Sequence, residues 1–338
     1  MQQKALIAIS GGVDSSVAAA LTRDAGYNCL AATLLLWGDG SADARAVAQK
    51  LELDFYEYDA RDTFQKEVVE PFIAAYEAGL TPNPCVVCNR TVKFGWLWDR
   101  AAELGCEKIV TGHYAQILYD EDTGRYSLRK AADRAKDQSY FLACLTQEQL
   151  SKILLPLGSL TKEQVRRLAE EMDLVTARKK DSQDICFVPD GDYVAFMRSY
   201  TGKDYAPGAF LDLSGNTVGT HSGAVCYTTG QRKGLGLAMG TPVYVCSKDM
   251  AANTVTVGPD EALYSAELFA TDWNWHIPCP AEPIRANARI RYRHTEQPAT
   301  IYPLEGRVVF DAPQRAITAG QTLVLYDGDT VLASATIL

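Results

Sequence analysis

The opening of the chain constrains its fold more than any other stretch. An apolar run, Ala5–Ile9, leads into Ser10-Gly11-Gly12-Val13-Asp14-Ser15-Ser16 and then into Val17–Leu21, which has helical character. That order is strand, glycine turn, helix. The first N–H groups of such a helix have no partner within it and point out of its N-terminus, where the dipole adds partial positive charge. The place suits an anion, above all a phosphate. Gly11 and Gly12 let the backbone approach an anion that a Cβ would hold off. Ser10, Ser15 and Ser16 can add hydroxyl donors. Asp14 stands out, because its charge repels a phosphate unless a Mg²⁺ ion lies between them.

A well-capped turn is the competing reading of this loop taken alone. It lacks the Gly-Lys-Ser/Thr ending of a Walker A loop and the Gly-x-Gly-x-x-Gly of a dinucleotide site. It resembles the SGGxDS loop of the PP-loop ATP pyrophosphatases. That resemblance implies adenylation of a substrate oxygen by ATP, with release of pyrophosphate.

Downstream the pattern stays α/β. Ala31–Leu36 reads as a buried parallel strand, Ala42–Leu51 as a helix and Asp54–Tyr58 as a strand. Thr63–Ala78 reads as a helix that Pro71 kinks or splits. Val92–Leu104 reads as a helix, Lys108–Thr111 as a strand, Tyr119–Ser127 as a hairpin, and Thr161–Met172 as a helix opened by a capping box. The expected fold is α/β: a parallel sheet with helices on both faces. Ligands sit beyond the carboxyl ends of such strands, which places Ser10, Leu34 and Gly112 at one crevice. Leu34 is either a nucleotide contact or core.

Beyond about residue 200 the strands shorten and Gly and Pro multiply, with strands expected at Ala209–Leu213, Gly223–Tyr227, Val243–Cys246 and Thr254–Val257. From about 264 the pattern is all-β. The division is 1–198, a catalytic α/β part; 199–263, a small β-rich part; and 264–338, a β-barrel.

The nine cysteines are an odd, unevenly spaced set, and no export signal is apparent, so a cytoplasmic enzyme with free thiols is expected. No apolar run is long enough to span a membrane. Cys85 and Cys88 form a C-x-x-C pair in Thr81-Pro82-Asn83-Pro84-Cys85-Val86-Val87-Cys88, where the prolines predict a rigid, non-helical approach. Such a pair serves a redox dithiol, half a zinc site, part of an iron–sulfur site, or plain packing. A zinc site needs a second pair, and no other C-x-x-C or spaced His pair occurs. Cys186 follows Lys179 and Lys180, which can lower its thiol pKa if the fold returns them to the sulfur.

SGGVDSS, TPNPCVVCNRTVKF, TGHYA, KDQSYFL, KKDSQDICF and TTGQRKGLG occur in the order and spacing of the bacterial tRNA 2-thiouridylases, the MnmA family, which the whole chain resembles. The resemblance implies a reaction: ATP adenylates the C2 oxygen of the tRNA wobble uridine, and sulfur replaces it. It also assigns residues. Ala8, Ile9, Ser10, Gly11, Gly12, Val13, Asp14, Ser15, Leu34 and Gly112 would hold ATP, with Asp14 positioning Mg²⁺ and pyrophosphate. Cys88 would be catalytic and Cys186 would carry a persulfide. Asn83, Pro84 and Cys85 would meet the target base. His113, Lys136, Asp137, Gln138, Arg291, Tyr292 and Gln321 would touch tRNA. Cys85 departs from the family pattern, which has Asp there. Three thiols, Cys85, Cys88 and Cys186, could instead hold a [4Fe–4S] cluster with hydrosulfide on its open iron. The sulfur donor stays open among a cysteine desulfurase, a relay protein and free sulfide.

The net charge of −9 disfavours a nonspecific nucleic-acid coat, so an RNA substrate needs local basic patches. Arg285, Arg289, Arg291 and Arg293 alternate along an expected strand, Ile284–Tyr292, which predicts one arginine face for phosphates. Two other readings share the ATP loop or the cysteines: a PP-loop ligase of the GMP- or NAD-synthetase type, and a cluster-binding RNA sensor without turnover.

Overall fold

The computed structural model describes residues 2–338 apart from Asp39, Arg178 and 180–184. Five parallel strands form the first sheet, in the order Asp54–Asp59, Asn28–Leu35, Lys4–Ala8, Lys108–Val110, Ile153–Leu154. The first strand is central, with Ile7 opposite both Ala31 and Val110. Strand order reverses beside it, so the loop at its carboxyl end opens into the crevice where α/β sheets bind ligands. Both faces of the sheet are apolar. Leu6, Leu30 and Ile109 pack on one side, and Ile7, Val17, Ala31 and Val110 on the other. No helix among the described residues is long and apolar enough to cross a membrane.

Two helices depart from expectation. Residues 61–77 form one helix whose middle, Gln65–Val69, is a π-turn. Pro71 neither splits nor ends it. Pro71 has no N–H to donate, and the wider turn just before it takes up the lost bond. The approach to the C-x-x-C pair is non-helical over residues 81–83, as expected, but the helix beyond it starts earlier than Val92. Pro84–Cys88 is itself the first α turn of a helix that continues as a π segment, Asn89–Trp96, and then as Leu97–Glu103. Pro84 occupies the first helical position, where its fixed φ and missing N–H cost nothing. The Thr161 capping box forms as expected, opening Lys162–Glu171.

Tyr193–Thr201 is a helix that runs across residue 198. Beyond it lies a four-stranded sheet in the order Tyr244–Asp249, Thr254–Gly258, Gly208–Leu211, Thr217–His221. The strand expected at Gly223–Tyr227 is instead a 3₁₀ turn, Ala224–Cys226. Gly223 has φ +112, a backbone angle that breaks an extended run.

Six strands then close into a barrel: Tyr264–Trp275, Arg307–Arg315, Gln297–Tyr302, Ile284–Arg289, Thr322–Asp327 and Thr330–Ile337, the last pairing with the first. Its interior holds Leu268, Ala288, Ile301, Val308, Leu323 and Ala333, among others. The barrel also faces outward into the catalytic part. Val324, Tyr326 and Val331 belong to the same apolar cluster as Leu6 and Leu142. The hairpin Ala115–Asp120/Arg125–Lys130 continues the barrel sheet by pairing Arg129 with Thr330.

Candidate active site

The glycine loop is shaped by close approach. Gly11 has φ +72, and a Cβ there would lie 2.8 Å from Asp43 Cβ. A Cβ on Gly112 would stand 2.6 Å from the Ser15 amide nitrogen and 2.7 Å from the Asp14 carbonyl carbon. Gly112 therefore lets the end of the Lys108–Val110 strand lie against the first turn of helix Val13–Asp24. Gly12 occupies the N-cap and supplies no side-chain cap, so that helix end keeps donors for a ligand. Ala8 and Ile9 are the strand end that feeds the loop, and the Ile9 amide donates to Ala32 O at 2.8 Å.

The hydroxyls are mostly committed to the fold. Ser16 is fully buried, donates to Gly12 O at 2.8 Å and accepts from Thr176 Oγ1 at 2.9 Å. Ser15 Oγ donates to Gly12 O at 3.1 Å and accepts from the Ser10 amide at 3.2 Å. Asp14 is answered by a cation and a hydroxyl that the sequence reading missed. Its carboxylate accepts from Lys162 Nζ at 2.7 and 2.9 Å and from the Tyr114 hydroxyl at 2.7 Å. Lys162 is the first residue after the Thr161 cap, so helix formation alone accounted for its position in the sequence. Lys179 closes the other side, donating to Gly11 O at 3.1 Å and Asp43 Oδ2 at 2.5 Å. It serves the loop, so the condition under which it would lower the Cys186 thiol is not met. Lys180 and the stretch 181–184 lie outside the described residues.

The thiols form the second half of the site. Cys85 and Cys88 are three apart on one α turn and so share a helix face. Cys88 is 6% exposed and packs with Leu34, Val92, Phe187 and Val188, which brings in the loop that carries Cys186. Cys85 and Cys186 open to solvent at the edge of this cluster. Burial raises all three thiols above the ordinary cysteine range, Cys88 to about 11. Lys93 opposes that rise at each of them. Lysines 179 and 180 could lower the Cys186 thiol only if the fold returned them to it; among the described residues the cation that opposes its rise is Lys93, inside the quoted TPNPCVVCNRTVKF stretch. Among the described residues no three His, Cys, Asp or Glu side chains converge as metal ligands. Cys85, Cys88 and Cys186 nonetheless lie near enough to act on one another electrostatically.

Gly112 and His113 join the halves. Gly112 backs onto Asp14 and Ser15. His113 meets the Phe94 ring at 6.0 Å and bonds Thr111 Oγ1 through Nδ1 at 2.8 Å. Burial and then Lys93 push its pKa down to about 3, so the imidazole is neutral. Leu34, one strand over, packs into both the sheet core and the Cys88 cluster.

The residues assigned to tRNA fall in two linked groups. The Gln321 side-chain amide donates to Thr81 O at 2.7 Å, and Thr81 N–H donates to Ala319 O at 2.8 Å, tying a barrel loop to the segment carrying Asn83, Pro84 and Cys85. The Asn83 side chain meets the Tyr140 hydroxyl, which donates to Thr322 O at 2.6 Å. Asp137 is buried and accepts from Ala131 N, Ser139 N and Ser139 Oγ. Its carboxylate holds the turn that presents Lys136 and Gln138, and the Gln138 side-chain oxygen Oε1 accepts from Tyr114 N at 2.9 Å. The Tyr292 ring packs on Phe141 at 4.3 Å.

The single arginine face does not form. The strand ends at Arg289, and Arg291 and Arg293 lie beyond it in a turn. Arg285 is spent on a two-pronged pair with Asp311 at 2.7 and 2.6 Å. Arg289 lies over the Tyr140 and Tyr292 rings and donates to Tyr292 O. Arg291 donates to Arg315 O at 3.1 Å. A cavity of about 750 Å³ lies behind the Cys88 helix, lined by Phe72, Asn83, Val87, Arg90, Trp273 and Thr322. It touches neither Cys85, Cys88 nor Cys186.

Three family profiles tile the chain: a tRNA methyl transferase HUP domain over residues 3–190, a tRNA methyl transferase PRC-barrel domain over 194–259, and an aminomethyltransferase beta-barrel domain over 265–337. A tRNA-specific 2-thiouridylase MnmA of Acetivibrio thermocellus is 47% identical over 356 residues, covering 99% of each chain. The protein of the same name from Clostridioides difficile is 43% identical, covering 100% of this chain and 98% of its own. Among solved structures, a 4-thiouridine synthetase–RNA complex with bound ATP aligns at TM-score 0.35 and 17% identity, over 55% of this chain and 45% of that one. NMN synthetase from Francisella tularensis aligns at TM-score 0.35 and 16% identity, over 61% and 79%. By whole-length similarity to those curated relatives, the chain belongs to the MnmA family of tRNA-specific 2-thiouridylases.

Proposed function

We propose that the protein is a tRNA-uridine 2-sulfurtransferase that spends ATP to replace the C2 oxygen of the wobble uridine with sulfur. The observation that carries the reading is the Gly112–His113 junction. It sets the anion-binding helix end and the thiol cluster side by side in one crevice. An ATP loop beside a buried thiol suits activation followed by sulfur attack. Methyl transfer, which two of the profile descriptions mention, would need neither. The three parts, 1–198, 199–263 and 264–338, divide the work: chemistry in the first, RNA contact shared with the other two. Such work on tRNA belongs in the cytoplasm.

In the first step the uridine O2 attacks the α-phosphorus of ATP and pyrophosphate leaves. The uncapped helix end at Gly12–Asp14 and the close-packed Gly11 and Gly112 receive the phosphates. The Asp14 carboxylate would hold the Mg²⁺ that accompanies ATP, as such sites commonly use one or two acids, and the ion would neutralise phosphate charge during adenylation. Lys162 and Tyr114 hold that carboxylate in place. Ser10, Val13, Ser15 and Leu34 wall the nucleotide. The wobble base leaves its stack and enters beside Asn83, Pro84 and Cys85. His113, Lys136–Gln138, Arg291, Tyr292 and Gln321 hold the anticodon arm.

In the second step the terminal sulfur of a Cys186 persulfide attacks C2 and AMP leaves, giving a C2–S–S–Cys186 bond. The Cys88 thiolate then attacks the Cys186 sulfur. The S–S bond breaks, the thiouridine leaves with one sulfur, and a Cys88–Cys186 disulfide remains. An external dithiol must return two electrons to reopen it. The persulfide sulfur comes from an outside donor. No step is routed through an iron–sulfur cluster.

The test is direct. Purified protein, ATP, Mg²⁺, unmodified tRNA, a dithiol and a sulfur source are incubated, and the tRNA is digested and analysed for 2-thiouridine. Product that disappears with Asp14→Asn and with Cys186→Ser supports the reading. Pyrophosphate release without thiolated nucleoside points to the ligase class instead. Activity that tracks bound iron in anaerobic preparations would sink the persulfide route.

A further inference from the structure

The π segment Asn89–Trp96 begins immediately after Cys88. In a regular α-helix residue 93 would be rotated about 140° away from residue 88, at about 100° per residue. The i→i+5 repeat of a π-turn instead returns the fifth residue to the same side. Lys93 is that fifth residue. Its neighbours confirm where it stands: Val92 packs with Cys88 and Phe187, and Phe94 meets the His113 ring. Lys93 is in electrostatic contact with Cys85, Cys88, Cys186 and His113. Among the described residues no carboxylate pairs with it. A half-buried cation thus faces three thiols and a neutral imidazole, with no anion opposite it among the described residues.

Resting on the sulfur-transfer reading above, we propose that Lys93 is the positioning residue of the sulfur centre: its ammonium, carried onto the thiol face by the widened helix turn, is the counter-charge that holds an anionic persulfide sulfur toward the target base. The resting thiols do not need it, since burial keeps them protonated at neutral pH. A persulfide is more acidic than the thiol it is built on, because its charge rests on a terminal sulfur bonded to another sulfur. Lys93 therefore meets a full negative charge only when the centre is loaded. The residue separates a loaded centre from an empty one, and it explains why this helix spends regular hydrogen bonding on an eight-residue π segment.

The experiment compares wild type with Lys93→Met and Lys93→Arg, loading the enzyme with inorganic polysulfide. In loading, the Cys186 thiolate takes one sulfur and the shortened polysulfide anion leaves, so no further oxidant is required. Three quantities are read: tRNA-dependent pyrophosphate release, 2-thiouridine formed, and the pH profile of iodoacetamide alkylation of the loaded enzyme. In Lys93→Met the expected result is a loss of about 10²-fold in 2-thiouridine, the scale of removing one preorganised charge partner. Pyrophosphate release stays within about two-fold, and the alkylation midpoint moves up by about one pH unit. Lys93→Arg recovers most of the thiolation. The proposal falls if Lys93→Met thiolates like wild type, or if the arginine variant is no better and both lose pyrophosphate release in step, which marks a folding role. Should wild type make no 2-thiouridine, the function reading fails by itself. The alkylation profile still decides on Lys93: a shifted midpoint upholds the counter-charge, and an unshifted one overturns it.

Discussion

Replacing Lys162 by methionine removes the ammonium from Asp14 while keeping most of the side chain's apolar stem. The pair is close, at 2.7 and 2.9 Å, with the lysine side chain 11% and the carboxylate 32% exposed. Breaking a fully buried pair costs about 3–5 kcal/mol, and an exposed one about 0–1. This pair lies between those limits, and the Tyr114 hydroxyl still serves Asp14. A loss of about 2 kcal/mol follows. With an unfolding entropy of about 2.1 cal/mol/K per residue, that is a drop in Tm of about 3 °C for a chain of this length. The cost arises from leaving a half-buried carboxylate without its counter-charge, so Asp14→Asn in the same chain should return part of it. The double-mutant cycle is expected to show a coupling of about 1–2 kcal/mol. Thermal unfolding of the four proteins, followed by circular dichroism, measures it. Strict additivity, or a Lys162→Met protein melting with wild type, would refute the claim that the pair organises the loop. Pyrophosphate release should fall in Lys162→Met by about 10²-fold if the lysine also steadies the phosphates.

Gly112→Ala forces a Cβ to within 2.6 and 2.7 Å of backbone atoms that cannot swing aside. It should abolish pyrophosphate release while the barrel stays folded, whereas Gly105→Ala, which meets nothing within 4 Å, reports only the strain of its positive φ. Acid should weaken the fold through two histidines held neutral by burial. His276, whose ring nitrogen bonds Ala143 O at 3.0 Å, is pushed down to about 4, and His113 to about 3. Unfolded, each takes a proton near pH 6.5. Stability from these groups is therefore complete above pH 6.5 and is lost as pH falls toward 4. Urea midpoints at pH 7 and pH 5 should differ, and His276→Gln should shrink the difference. An unchanged gap would argue against a neutral His276.

The parallel sheet, its crevice and the closed barrel were legible because each rests on local pattern. Ala5–Ile9 and Ala31–Leu36 are apolar without interruption, as strands covered on both faces must be. What escaped depends on partners distant in sequence. Lys162 sits 148 positions from Asp14 and looks like an ordinary first-turn lysine. Tyr114 is hidden in the same way, 100 positions away. The arginine ladder read correctly as alternation over 284–289, where Ala286 and Ala288 point inward. It failed where the strand stops, because Asp311 and the aromatic rings of Tyr140 and Tyr292 claim two of the four cations. The first barrel strand, Tyr264–Trp275, went unrecognised because bulges interrupt its pairing on both sides. The π segment left no mark in composition at all, and with it went Lys93.

The shared core between barrel and catalytic part has a mechanical consequence. Val324, Tyr326 and Val331 anchor in the same apolar mass as the central strand, and the 319–321 loop is bonded to Thr81. The surface that would grip RNA and the crevice that would act on it thus move as one block. On the proposed function, an anticodon arm seated on the barrel would be delivered at a fixed distance from Cys88, like a workpiece clamped to the bed of the machine that cuts it. Choice of nucleotide would then be a matter of reach: the base modified would be the one the seated arm can swing into the crevice.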